Sequence, residues 1–273
     1  MSATETVANA RSSFNRVMLG IGLIGLVLLT APVATFLWRS FDARSSFNRT
    51  ETRDVLAEAL ILSLWSSAIA LFAIVMLGTP LAWILARHRT PSMRILDAMV
   101  DLPIILPPAV AGIALLTAFG RRGVFGEWLD KIGITVGFST TAVIIAQIFV
   151  SAPFFVRTAR SGFIRVERTL EEAAADLGAT PWRVFWQITL PLSRSSLIAG
   201  AVLAWARALG EFGATIMFAG NREGVTQTMP LAIYERFGAG DLGAALVLSS
   251  VLMAISVVFL IAVRLLGEAG SPR

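Results

Sequence analysis

The sequence predicts an all-α integral membrane protein with six transmembrane helices, and three observations carry that prediction. Hydrophobic residues make up 56% of the 273 residues and charged residues 15%, against roughly 45–50% and 25% in soluble domains. Mean hydropathy is +0.74, so the chain cannot clothe itself in polar surface, and lipid must be part of its solvent. The apolar residues fall in six continuous runs, each long enough to cross a hydrocarbon core of about 30 Å as a helix of about 20 residues. Continuous runs without a two-residue alternation exclude a transmembrane barrel. The same abundance of apolar surface excludes a disordered chain.

The first run, Met18–Trp38, follows a tail (1–17) carrying Arg11 and Arg16. It is longer than a signal-peptide core, and no small-x-small cleavage site follows, since Pro32 stands two residues before Ala34. It therefore reads as an uncleaved anchor. A heptapeptide, Ala-Arg-Ser-Ser-Phe-Asn-Arg, occurs on both sides of this run, at 10–16 and 43–49, and is too short to be a structural repeat. The remaining runs are Leu60–Ala86, Leu102–Phe119, Val136–Val156, Leu197–Ala219 and Leu242–Leu265. Together they define a membrane domain at 18–266, followed by a short tail at 267–273. Pro80 kinks the second span, and Pro103, Pro107 and Pro108 kink the entry to the third.

Six spans put both termini on one side. That side, with the loops 87–101 and 157–194, carries 13 basic against 8 acidic residues, whereas the opposite side balances 9 against 9. The positive-inside rule then places both termini and the long Arg-rich loop in the cytoplasm.

The loop between spans four and five is too long for a simple connection and reads as two short helices. Thr169-Leu170-Glu171-Glu172 has capping-box spacing, with Leu170, Ala173, Ala174 and Leu177 on one apolar face. Gly178 stands where a left-handed residue ends such a helix. Thr180-Pro181 starts a second helix, rich in Trp and Phe, which Pro191 is expected to stop. On these features alone the pair is an amphipathic interfacial hairpin.

The letters themselves say more. Glu172-Ala173-Ala174, Gly178, Ile188, Leu190 and Pro191 stand at the spacing of the cytoplasmic signature of binding-protein-dependent ABC importer permeases, which the loop resembles without gaps. Over roughly 57–263 the chain is similar to the molybdate importers of that family. The segments that carry this are Leu102–Gly112, Gly120–Gly123, Gly210–Phe218 and Thr226–Tyr234. Sulfate importer permeases are similar in the same loop, but usually carry Tyr where Phe212 stands and lack the Thr226-Gln227-Thr228-x-Pro230 run.

The resemblance implies a type I-like permease fold in a bacterial inner membrane, with a coupling-helix pair at 169–191. It implies two cytoplasmic ATPase subunits, a second copy of this chain and an extracytoplasmic oxyanion-binding protein, with tungstate as a close mimic of molybdate and no nucleic acid as partner. The coupling residues it marks are Glu172, Ala173, Ala174, Gly178, Ile188, Leu190 and Pro191.

No Walker phosphate loop is present, so ATP hydrolysis is expected from a partner and no catalytic residue is assigned. No cofactor or metal is expected. The chain has no Cys and one His, His88, which excludes thiolate and multi-His metal centres. The lone His in a cytoplasmic loop also argues against an intramembrane Ser–His protease. No segment of useful length recurs, which argues against a secondary transporter built from repeats.

Arg207 and Glu211 are the two charges deep inside a span. An ionised residue there costs about 3 kcal/mol on insertion scales and marks a functional candidate; the i, i+4 spacing lets the two pair. With Thr215, Pro107 and Pro108 they form the expected pathway or gating set, the pair being either structural or, through Arg207, in contact with the anion. Thr226–Thr228 are expected outside, either touching a binding protein or forming a capped turn.

Overall fold

The computed structural model describes residues 3–88 and 90–269, with side chains described for 15–43, 45–88 and 90–262. Arg89 and the outermost residues of both expected tails lie outside the described residues. Twelve α-helices follow one another, with no strand among the described residues: α1 (Ala3–Asp42), α2 (Thr50–Arg87), α3 (Pro91–Ile105), α4 (Pro108–Phe119), α5 (Gly126–Lys131), α6 (Thr140–Arg165), α7 (Arg168–Asp176), α8 (Pro181–Val184), α9 (Leu190–Leu209), α10 (Gly213–Phe218), α11 (Met229–Gly238) and α12 (Leu242–Ala269).

Among the described residues, five stretches are long and apolar enough to cross a membrane as continuous helices: 15–42, 50–87, 140–165, 181–209 and 242–262. The expected third span is not one helix. α3 and α4 meet at a bend of 117°. Pro107 and Pro108 supply no amide hydrogen, and a residue before proline is pushed out of the helical region. Leu106 and Pro107 accordingly have ψ of 131° and 136°. The pair nonetheless runs the length of α6. Near its start, Asp97 and Asp101 bind Arg160 and Arg157, both at 2.7 Å; near its end, Leu115 and Phe119 pack in the cluster with Ala142 and Val143. Exposed ion pairs of this kind are worth at most about 1 kcal/mol, so they set the register of α3 on α6 more than they stabilise it.

Span boundaries also differ from the sequence expectation. α2 begins ten residues before Leu60, and α6 runs on past Val156 to Arg165. The fifth span starts earlier than Leu197, because Pro191 does not stop the chain. α8 passes into α9 through a π turn, Phe185–Thr189. In that wide turn the Leu190 N–H donates to the Phe185 carbonyl, which relieves the crowding a proline ring causes one position later. The same span ends earlier than expected: Gly210–Phe212 interrupt it before α10.

α2, α6 and α9 form the centre, around Ile74, Ala82, Phe155, Ala159, Phe163 and Ala204. Without a hydrophobic drive between helices in lipid, small residues bring such backbones together. A Cβ on Gly78 would stand 2.8 Å from the Phe155 ring, and one on Gly162 would stand 2.4 Å from the Ser196 Cβ. α4 and α10 are equally close, since a Cβ on Gly112 would meet the Ala214 carbonyl oxygen at 2.6 Å. α1 lies at the edge, touching α12 and the turn that follows it, and none of its most apolar window is buried. The second heptapeptide copy forms the 3-10 turn Ala43–Asn48 between α1 and α2.

Candidate functional site

Two regions gather the candidate residues. The first is the helix pair after α6. α7 starts at Arg168, with Glu167 as N-cap and no side-chain cap, so the expected capping box does not form. The Arg168 guanidinium donates to the Arg87 carbonyl oxygen at 2.9 Å, which anchors residue 168 in the first turn and leaves Thr169 no capping role. Gly178 does end the helix with φ +86°. The Ala179 and Gly178 amides donate to the carbonyls of Ala174 and Ala175 at 3.0 and 2.9 Å, the pattern that a left-handed glycine permits. Thr180 caps α8 by accepting from the Arg183 amide at 3.4 Å, and Pro181 takes its first turn.

Of the marked coupling residues, Ala174, Gly178 and Ile188 line one shallow cavity of about 230 Å³ between α7 and the second helix. Glu172 and Ala173 face outward. Leu190 borders a separate apolar groove with Trp182, Phe185 and Trp186, and Pro191 opens α9 on the exposed side. No residue of α7 is buried, so its outer face is free to meet a partner.

The inward-facing acid is Glu171, which the sequence reading passed over. Its Oε1 accepts from Arg87 Nη2 at 2.5 Å and from Thr189 Oγ1 at 2.6 Å. The Arg87 and Glu171 side chains are 10% and 19% exposed, and Thr189 is fully buried.

The second region is the break in the fifth span. Arg207 Nη1 pairs with Glu211 Oε2 at 2.5 Å, with the Glu211 side chain wholly buried and that of Arg207 29% exposed. The other Glu211 oxygen accepts from the Ala214 amide at 2.8 Å, so it caps α10. Arg207 and Pro108 line one small cavity of about 100 Å³, together with Pro103, Leu106, Ala111 and Phe154. Pro107 sits at the α3–α4 bend just outside that lining. Thr215 is buried on α10 with no hydrogen-bond partner for its hydroxyl.

At the other end of the bundle, Thr226, Gln227 and Thr228 are buried and form a turn. Thr226 Oγ1 accepts from the Arg222 amide at 2.9 Å, and Gln227 Nε2 donates to Glu235 at 2.6 Å. The capped-turn reading is therefore the one this structure contains, because the side chains point into the fold. Beside it, Arg236 reaches Glu51 and Glu223; the hydrogen bond to Glu51, above all, holds its guanidinium pKa above the usual value.

The model of the family described as "Binding-protein-dependent transport system inner membrane component" matches residues 78–269. A molybdenum transport system permease protein of Mycobacterium bovis is 42% identical over 247 residues, covering 89% of this chain and 91% of its own. A probable sulfate transport system permease protein of Chlorokybus atmophyticus is 34% identical over 238 residues, covering 87% and 83%. Among solved structures, a bacterial ABC transporter involved in alginate import superposes with a TM-score of 0.76 at 17% identity, covering 95% of this chain and 96% of the other.

Proposed function

This chain belongs to the family of binding-protein-dependent transport system inner membrane components, and from that premise we propose that it forms the membrane pathway of an ATP-driven molybdate importer. That it is a permease subunit of an ABC importer, without an ATPase site of its own, follows from the family. The substrate is the finer step. It rests on the 42% identity along almost the whole chain to a molybdenum permease, against 34% to a sulfate permease. Tungstate, a nearly identical tetrahedral dianion, belongs to the same substrate class.

In this reading two copies of the chain line one pathway about a twofold axis. The termini and α7–α8 lie in the cytoplasm. Each α7 docks by its exposed face, with Glu172 and Ala173 toward an ATPase subunit, while Ala174, Gly178 and Ile188 shape the hairpin behind it. Leu190 and Pro191 carry the hairpin into α9. An oxyanion-binding protein delivers the anion from the opposite side. Closure of the ATPase pair draws the two α7 helices together and tilts the spans, switching the pathway between outward and inward access. The broken segments at Leu106–Pro108 and Gly210–Phe212, where Arg207, Glu211, Thr215, Pro107 and Pro108 cluster, supply the deformable part of the wall.

Uptake in proteoliposomes holding this chain, its ATPase subunits and its binding protein tests the reading. ATP-dependent accumulation of molybdate, blocked by tungstate and not by sulfate, is the expected result. Sulfate transport that molybdate does not compete would assign the chain to the sulfate importers. Movement of sugars or amino acids instead would leave only the family standing.

A further inference from the structure

Glu171 and Glu172 are neighbours in sequence and, at about 100° per helical residue, point to different sides of α7. Glu172 is exposed, as a docking residue must be. Glu171 turns inward, and a single carboxylate oxygen ties three elements together. Arg87, the last residue of α2, donates to it, and so does Thr189, the last residue of the π turn that leads into α9. Arg87 also reaches the Val166 carbonyl in the α6–α7 link, and Arg168 of α7 reaches back to the Arg87 carbonyl.

This junction has an unusual mechanical position. α7 buries none of its own residues, so little apolar packing holds it to the bundle. Its firmest links are therefore these charge-assisted hydrogen bonds, which are shorter and about twice as strong as neutral ones. The receiving end is a π turn, a form of helix frequent at functional sites, and it is continuous with the span that carries Arg207 in its last turn and ends just before Glu211. Among the hydrogen bonds of α7, those at Glu171 reach both the end of α2 and the turn that enters α9.

We propose that Glu171 is a positioning residue for transport, transmitting α7 movement to the ends of α2 and α9 through Arg87 and Thr189. The proposal rests on the coupling reading of α7 given above. It assigns the two adjacent acids different work: Glu172 meets the partner, and Glu171 relays the motion.

The test measures ATP hydrolysis and molybdate uptake separately in the reconstituted complex. Glu171→Gln keeps an acceptor for Thr189 and removes the ion pair. It is expected to retain the ATPase subunits through co-purification while molybdate moved per ATP falls roughly tenfold, the scale of a typical coupling energy between sites. The exchange Arg87→Glu with Glu171→Arg is expected to restore most of that ratio, which a loss of general stability would not allow. Thr189→Val removes the second strand of the junction alone and is expected to lower the ratio less.

A Glu171→Gln variant with the wild-type ratio overturns the relay. So does one that sheds the ATPase subunits, because Glu171 would then belong to the docking surface. If Glu171→Gln does not insert, a wild-type ratio in Thr189→Val overturns it equally. The wild-type chain is measured first: if it fails to bind or stimulate ATPase subunits, the coupling reading itself falls, and the relay with it.

Discussion

The Ser196 Cβ occupies the space that a Cβ on Gly162 would need, 2.4 Å away. Here α6 and α9, the helices on either side of the α7–α8 hairpin, approach so closely that no methyl group fits between Gly162 and Ser196. Gly162→Ala must push them apart, at about 1–3 kcal/mol, the usual cost of overpacking. Its melting temperature in detergent should fall, and Ser196→Gly added to it should recover most of the loss. Gly238→Ala, where a Cβ meets nothing within 4 Å, serves as the silent control. Equal melting temperatures for Gly162→Ala and wild type would show that the two helices do not approach this closely.

Gly178 poses the opposite problem. A Cβ there meets nothing within 4 Å, so space is plentiful, but φ is +86°. A β-branched residue in that conformation costs about 1–3 kcal/mol, and the helix end relaxes instead of paying it. Gly178→Val should therefore insert at normal abundance, lose co-purifying ATPase subunits and show no uptake. Gly178→Asn, which tolerates the left-handed region, should keep part of both. Full transport by Gly178→Val would remove the coupling role from this hairpin.

How legible was this in the sequence? The spans were, because lipid demands long apolar helices and the runs supply them. Gly178 was, because a left-handed helix end leaves a local mark. Glu171 was not: Thr169-Leu170-Glu171-Glu172 contains two acids, and the choice between them is made by Arg87, 84 residues away. The continuous passage through Pro191 was equally hidden, since a π turn has no residue signature and proline ordinarily ends helices. The break at Gly210–Phe212 lies inside an apolar run interrupted only by Arg207 and Glu211, where hydropathy alone extends the helix. The hydrogen bonds that hold Thr226 and Gln227 involve partners such as Glu235 that periodicity does not pick out.

That network leads to a separate prediction. Gln227 is 4% exposed, and its amide donates to Glu235, which also accepts from Asn221. Gln227→Leu leaves the carboxylate with one donor fewer and removes a hydrogen bond to a charged group, worth about 1.5–3 kcal/mol. Stability in detergent should fall by an amount of that order, whereas affinity for the binding protein, measured on folded complex, should be unchanged. A selective loss of that affinity at wild-type stability would turn the segment into a docking element.

Arg207 and Glu211 give the sharpest test, because their environments differ. Arg207 is 29% exposed toward a small cavity, and Glu211 is wholly buried. Arg207→Leu strands a buried carboxylate, at about 3–5 kcal/mol in comparable buried pairs. Glu211→Leu strands a guanidinium that the cavity can hydrate, but it also frees the Ala214 amide that Glu211 caps, at about 1 kcal/mol for a lost cap. Arg207→Leu should therefore be the least abundant of the variants. The double replacement strands no charge and loses only the cap, so it should exceed both single variants in abundance and recover part of the uptake. That outcome makes the pair a structural fastening across the break between α9 and α10. If Arg207 instead guides the dianion, the double variant will be abundant and assembled with its ATPase subunits yet still inactive, and uptake will track Arg207 alone. Abundance, assembly and molybdate uptake on the three variants decide between the two roles, and an abundant, assembled, inactive double variant would place Arg207 in the pathway.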